Sequence, residues 1–227
     1  MLKKVTLLVV ISLLCTLVAL WSPWLYLNLD VRNLFGVRKP DSIAGLQVFS
    51  LGGELEIQID GQILGTVTPE KSPFFYDTVT PGERMVSISR KSETPNSFWT
   101  FSKLITFEEG NTVVSSYFIG PSQEFSEGHF IFATKKTDLN AQSKLNISLN
   151  TDDAQIQIDS IAVEKFINNK FTTDIDLSSQ KKISIFKPGY ETLEFTILPD
   201  QQEEREKLKN YDLNLEVQLM VLPVNVE

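Results

Sequence analysis

Side chains that could carry out catalysis are scarce in this sequence. His129 is its only histidine, and Cys15, its only cysteine, stands in an uncharged N-terminal run. A Ser-His-Asp triad would have to be built around His129, which directly precedes three apolar residues and has no supporting motif. We therefore interpret His129 as a surface residue beside a strand and predict a non-enzymatic protein. Because Cys15 lies in the apolar run, the folded part can form neither a disulfide nor a thiolate metal site.

Paired carboxylates are the other possible source of chemistry. Asp152 and Asp153 are adjacent, and Asp174 and Asp176 are two residues apart. Such pairs can serve hydrolysis or bind Ca²⁺, but both lie in polar, turn-like stretches without calcium-loop spacing. We interpret them as solvated turn residues. Neither a phosphate loop nor a dinucleotide fingerprint occurs, so the sequence predicts no cofactor and no metal-binding residue.

Aromatic residues offer a binding surface instead. Alternation along one strand places Trp99, Phe101 and Phe107 on its core face. Phe98 falls on the opposite face, so we predict it as a possible contact for a partner. Together with residues 74–76 it could form an exposed aromatic platform for a glycan or a peptide, although packing in the core or between the modules is favoured.

The charge distribution excludes one class of partner. The formal net charge is −8, and residues 1–36 carry a local +2, which leaves −10 for the remainder. An acidic surface repels phosphate backbones, so we expect no nucleic acid to bind.

The N-terminus has the pattern of a membrane anchor. After Lys3 and Lys4, 25 residues from position 5 to position 29 carry no charge. A helix of that length spans roughly 37 Å, enough for a ~30 Å hydrocarbon core. Trp21, Trp24 and Tyr26 cluster at its end, where aromatic rings favour the membrane interface. The sequence predicts a transmembrane signal-anchor helix with these three rings at the membrane surface.

A cleaved signal peptide is the competing interpretation of this segment. No small-x-small cleavage pattern follows the apolar run, which favours retention. The basic start favours an N-terminus inside the cell, although Arg32, Arg38 and Lys39 weaken the charge contrast. We therefore predict a single-pass protein of the cell membrane whose C-terminal part is extracytoplasmic.

Beyond the linker, apolar and polar residues alternate, which is typical of half-buried strands. The sequence Ile-Gln-Ile-Asp at 57–60 recurs at 156–159, displaced by 99 residues, and Leu46 and Leu145 share that displacement. A third match lies at 86–89 and 183–186, displaced by 97. These collinear matches predict a duplication.

The predicted fold is all-β, with two tandem small antiparallel β-sandwich modules after the N-terminal transmembrane helix. Ile57 and Ile156 should lie in two separate cores. The charged stretch 200–210 is either a short helix or a solvated loop. The predicted boundaries are an anchor at 1–29, a linker at 30–44, and modules at 45–136 and 143–227.

Turn residues in both modules carry a resemblance to a known family. A strand ends in Asp-Gly at 60–61, a Gly-Thr turn with proline follows at 65–69, and Pro-Gly at 81–82 precedes the next strand. Pro-Gly-Tyr within 187–190 supplies the last element of the pattern in the second copy. In these features the chain resembles the PEGA domain family, although other residues replace the eponymous tetrapeptide. The resemblance implies surface-associated β-sandwich modules of bacterial or archaeal envelopes and lends no catalytic residues.

These observations predict a membrane-tethered, extracytoplasmic structural or interaction protein. Its partner would be a cell-envelope polymer or another protein. A carbohydrate-binding module of the envelope is the alternative, which a flat exposed aromatic strip including Phe98 would favour. An enzyme would instead need clustered carboxylates in a cleft.

Overall fold

A computed structural model describes residues 43–163 and 169–223 of the chain. The predicted anchor helix, with Trp21, Trp24 and Tyr26, lies outside the described residues. Within the described ranges, no helix has both the length and the apolar character needed to cross a bilayer.

The described residues are nearly all strand or turn, which confirms the all-β prediction. The elements are β1 Ala44–Gly52, β2 Leu55–Ile59, β3 Gln62–Val67, β4 Phe74–Val79, β5 Gly82–Arg90, β6 Thr100–Phe107, β7 Thr112–Phe118, β8 Glu127–Lys135, β9 Lys144–Leu149, β10 Gln155–Ile158, β11 Ile161–Ala162, β12 Lys170–Asp174, β13 Lys181–Phe186, β14 Leu193–Ile197, α1 Gln202–Lys207 and β15 Tyr211–Gln218. Short 3-10 turns lie at Pro69–Lys71, Gln123–Phe125 and Leu208–Asn210.

These strands form three sheets. The central sheet has seven strands in the order β12-β9-β15-β8-β7-β1-β4. Sheet 1 has the order β3-β2-β5-β6, and sheet 2 has the order β11-β10-β13-β14. Each smaller sheet shares one hydrophobic core with part of the central sheet. Ile57 is buried in the first core and Ile156 in the second, as predicted.

The strands β1–β7 and β9–β15 repeat one topology, strand for strand, and we call them the first half and the second half. In both halves, the first strand pairs antiparallel with the fourth and parallel with the seventh. Leu46 and Leu145, matched in the sequence, occupy equivalent positions opposite Val113 and Leu213.

The prediction of purely antiparallel pairing was wrong at β1–β7 and β9–β15, which are parallel. Between its first and seventh strands each half enters the smaller sheet twice, and it returns to the central sheet in between for its fourth strand. Parallel pairing requires such a crossover, whereas sequence patterns of tight turns report only neighbours joined by hairpins.

Strand β8 joins the two halves, because it lies between β7 and β15 and is antiparallel to both. Phe130 and Phe132 belong to or pack against the first core, whereas Ile131 and Ala133 belong to or pack against the second. Successive side chains of a strand point to opposite faces. Sheet 1 and sheet 2 therefore lie on opposite faces of the central sheet, and β8 is covered on both.

A short helix forms in the charged stretch that the sequence left open. Arg205 of α1 is buried, and its guanidinium donates hydrogen bonds to the carbonyls of Leu177 at 3.2 Å, Ser178 at 3.1 Å and Pro199 at 2.8 Å. These bonds satisfy three backbone acceptors and fix α1 beside the end of β14.

The predicted Asp-Gly turn is present, and the second half has an equivalent one. Asp60 and Gly61 have φ of 50° and 80°, and Asp159 and Ser160 have φ of 51° and 67°. Both aspartates also accept a backbone N–H from the neighbouring strand at 2.9 Å. Positive φ at both central residues is the geometry of a two-residue hairpin, and it strains a residue with a Cβ atom.

Ser160→Gly should therefore stabilise the protein, by up to about 1 kcal/mol, because glycine relieves the positive-φ strain. The converse change, Gly61→Ser, should destabilise it by a similar amount; a Cβ at position 61 meets nothing within 4 Å, so backbone strain alone is added. Urea unfolding midpoints measure both effects. A loss of stability in Ser160→Gly would contradict this account of the turn.

Candidate interaction surface

The prediction that Phe98 points away from the core was wrong. Its ring is half-buried, packs against the first core and lies 4.5 Å from the guanidinium carbon of Arg90. Trp99 is also half-buried, whereas Phe101 and Phe107 are buried as expected. Strand β6 begins only at Thr100, so the alternation that separated Phe98 from Trp99 does not extend to them.

Phe98→Ala should consequently lower the free energy of unfolding, by about 1–2 kcal/mol, because it removes core packing and the cation–π contact with Arg90. The matched control is Phe75→Ala. The ring of Phe75 is 65% exposed, so this substitution should lower the free energy of unfolding by less than about 0.5 kcal/mol. Thermal melts compare the two. Equal shifts would show that Phe98 contributes no more than a surface ring.

His129 is buried, which corrects its interpretation as a surface residue. Its ring stacks on Phe195 of β14, with centroids 4.0 Å apart, and its Nδ1 has no hydrogen-bond partner. Odd-numbered residues of β8 face the second core, and this places the imidazole there. Burial lowers the pKa of His129 to about 4, so the ring is neutral at pH 7.

The stability of the protein should depend on His129 in the acid range. The unfolded chain protonates this histidine below about pH 6.5, whereas the folded protein does so only near pH 4. Stability should therefore fall as the pH drops through this window, by roughly 3 kcal/mol from this one group. The variant His129→Phe keeps a ring stacked on Phe195 but cannot be protonated, so the loss of stability due to His129 at low pH should vanish. Unfolding free energies measured from pH 7 to 4.5 provide the comparison; parallel curves for the two proteins would contradict it.

The paired carboxylates are exposed, but not all of them are turn residues as predicted, because Asp174 is the last residue of β12. Asp152 and Asp153 are exposed, and Asp153 has a φ of 54°. Asp176 accepts the backbone N–H of Ser178 at 2.9 Å and its hydroxyl at 2.5 Å, and these bonds lower the pKa of Asp176. In residues 43–163 and 169–223, no three His, Cys, Asp or Glu side chains are grouped to hold a metal ion.

The face of the central sheet opposite sheet 1 is open across the first half. Leu46 and Val48 point into the first core, so Gln47 and Phe49 of β1 point to the open face. Phe75 and Val114 stand on either side of Gln47 in the sheet register. We call Gln47, Phe49, Phe75 and Val114 the open face.

The second half has different chemistry at the positions equivalent to the open face. They are occupied by Asn146, Ser148, Thr172 and Asn214. Three of these side chains bond one another: the amide of Asn146 donates to Asn214 at 3.2 Å, and Thr172 donates to Asn146 at 3.0 Å. One half thus carries a satisfied polar surface, and the other carries apolar side chains: the ring of Phe75 is exposed, whereas Phe49 and Val114 are half-buried. Exposed apolar surface of this kind can mark an interaction site.

A groove of about 590 Å³ lies along the open face. Its floor includes Phe49, Phe75 and Ile131, one wall is the end of β14 with residues 196–199, and α1 contributes Glu204 and Lys207. The side-chain nitrogen of Asn111, also in the lining, is buried without a hydrogen-bond partner.

Sequence reasoning named residues 74–76 only as neighbours of Phe98 and did not single out Phe49. A position-by-position comparison of the two copies would have detected both, because Phe49 aligns with Ser148 and Phe75 with Thr172.

Comparison with known proteins yields little. No protein-family model matches the chain, and no curated protein matches it at a significant level. Among solved structures, the Bacillus anthracis TIE protein is similar at 15% identity with a TM-score of 0.26, over 80% of this chain and 34% of that one. This chain thus spans about a third of the length of that protein. A TM-score this low does not establish a shared fold.

Proposed function

We propose that this chain is a membrane-tethered, extracytoplasmic interaction protein built from two tandem PEGA-like β-sandwich modules. The observation that carries the proposal is the contrast between the two halves. They share one topology, yet only the first exposes an apolar surface where the second is polar. The open-face positions lie outside both cores, so neither core requires this difference, and we attribute it to binding.

The tether supports this function on energetic grounds. A single anchor at residues 1–29, with Trp21, Trp24 and Tyr26 at the interface, would hold the modules close to the membrane. Tethering raises the effective concentration of neighbouring envelope components, so a weak site can be occupied. The proposed protein is non-catalytic and acts by contact.

A carbohydrate-binding module of the envelope is the second candidate. Phe75 is exposed on the sheet face beside Gln47, an arrangement in which a ring could stack on a sugar while an amide bonds its hydroxyls. Phe98, the residue first suggested for this role, is half-buried and favours it less.

Fractionation of cells tests the tether. Full-length protein should remain in the membrane fraction after carbonate washing and should be digested by protease added outside the cytoplasmic membrane. Leu14→Arg places a charge in the middle of the apolar run at a cost of about 2.5–3.5 kcal/mol and should reduce retention, whereas Leu14→Ala should not. Recovery of a soluble form that begins between residues 20 and 35 would show cleavage instead.

A further inference from the structure

The free edge of sheet 2 borders the groove. Strand β14 pairs with β13 alone among the described residues, and Thr196 stands opposite Lys182. The backbone groups of Lys182 are bonded on its other side, at the end of β10. Its N–H donates to the carboxylate of Asp159 at 2.9 Å, and its carbonyl accepts from the N–H of Asp159 at 2.9 Å. When two residues stand opposite each other in an antiparallel pair of strands, their backbone N–H and carbonyl groups either bond each other or both point away from the partner strand. The N–H and carbonyl of Thr196 therefore point away from β13, to the groove side.

A strand added to this edge would lie over the open face. The next strand of a sheet is about 4.8 Å further on. Sheet 2 already packs on the central sheet through contacts such as His129 on Phe195, and this packing ends at β14. One more strand would continue the same interface across Phe49 and Val114, with every second side chain directed at them.

The equivalent edge in the first half is closed to such an addition. There Leu104 of β6 is the counterpart of Thr196, because it stands opposite Met85, whose backbone is bonded to Asp60. Lys103 of the same strand forms an ion pair at 2.5 Å with Glu216 of β15. Charged residues of this kind protect sheet edges against further pairing.

We infer that the groove binds an extended peptide segment of a partner protein, which joins β14 as a fifth strand of sheet 2 and places alternate apolar side chains on the open face. The backbone groups of Thr196 supply the hydrogen bonds, and Phe49 and Phe75 supply the apolar contact. This inference rests on the proposed interaction function and names its surface and its class of partner.

The probe is a fluorescent octapeptide of alternating valine and threonine with a lysine at each end. It is titrated against the full-length protein in lipid nanodiscs. A permuted peptide of the same composition, with its valines contiguous, serves as the control. We expect saturable binding of the alternating peptide and at least tenfold weaker binding of the permuted one. Absence of a difference, or of any binding, would overturn the inference.

Two variants separate the backbone contribution from the apolar one. Thr196→Pro removes an N–H that β13 does not use, at an edge position where proline is tolerated, and should weaken binding at least tenfold. Phe75→Thr introduces the residue type that the second half has at the equivalent position, Thr172, so the fold accommodates it. Because it removes an apolar contact, it should weaken binding three- to tenfold. Leu104→Pro, at the equivalent edge of the first half, should leave binding unchanged. Melting temperatures confirm that each variant is folded.

Each remaining outcome has a defined meaning. Wild-type affinity in Thr196→Pro would overturn strand addition, and a change of oligomeric state in Phe75→Thr would identify a second copy of the chain, not a partner peptide, as the occupant. Loss of membrane retention would refute the tether of the proposed function without affecting peptide binding. Failure to bind peptide in a protein that stays in the membrane would refute only this inference.

Discussion

The double burial of β8 is the constraint on which the rest of the structure depends. Four consecutive apolar residues, 130–133, alternate between two cores, so neither half can complete its hydrophobic packing without this strand. The backbone there is also tightly enclosed: a Cβ at Gly128 would lie 2.2 Å from the carbonyl oxygen of Ser116. Because the two smaller sheets must occupy opposite faces, each leaves part of the central sheet open. The groove arises from that arrangement.

The repeated topology keeps some positions the same in both halves and lets others differ. Leu46 and Leu145, or Asp60 and Asp159, hold the same structural positions in both halves. The open-face positions share a backbone register but not chemistry, since Phe75 in one half corresponds to Thr172 in the other. Identical topology with different surface chemistry shows that the fold leaves these solvent-facing positions free to vary.

Alternation and repetition in the sequence predicted the strands, the repeat and the separate burial of Ile57 and Ile156, because these depend on local period and on matching segments. The two misplaced residues have different causes. Alternation does not apply to Phe98, because the strand begins two residues later, and His129 is buried because β8 is covered on both faces. The uninterrupted run after His129 was the available signal for double burial. Parallel pairing and the open edge of β14 depend on strand order, which no local pattern reports.

The central position of β8 has a consequence for the order in which the chain folds. The edge of β8 that does not pair with β7 pairs with β15, which is synthesised about 80 residues later. At typical elongation rates this is a delay of roughly 4–16 s. Until then the nascent first half ends in an unpaired strand edge with Ile131 and Ala133 uncovered on one face. Non-local pairing of this kind folds slowly and leaves such surfaces open to association with other chains. The strand that unites the finished molecule is therefore the part of the nascent chain most in need of protection.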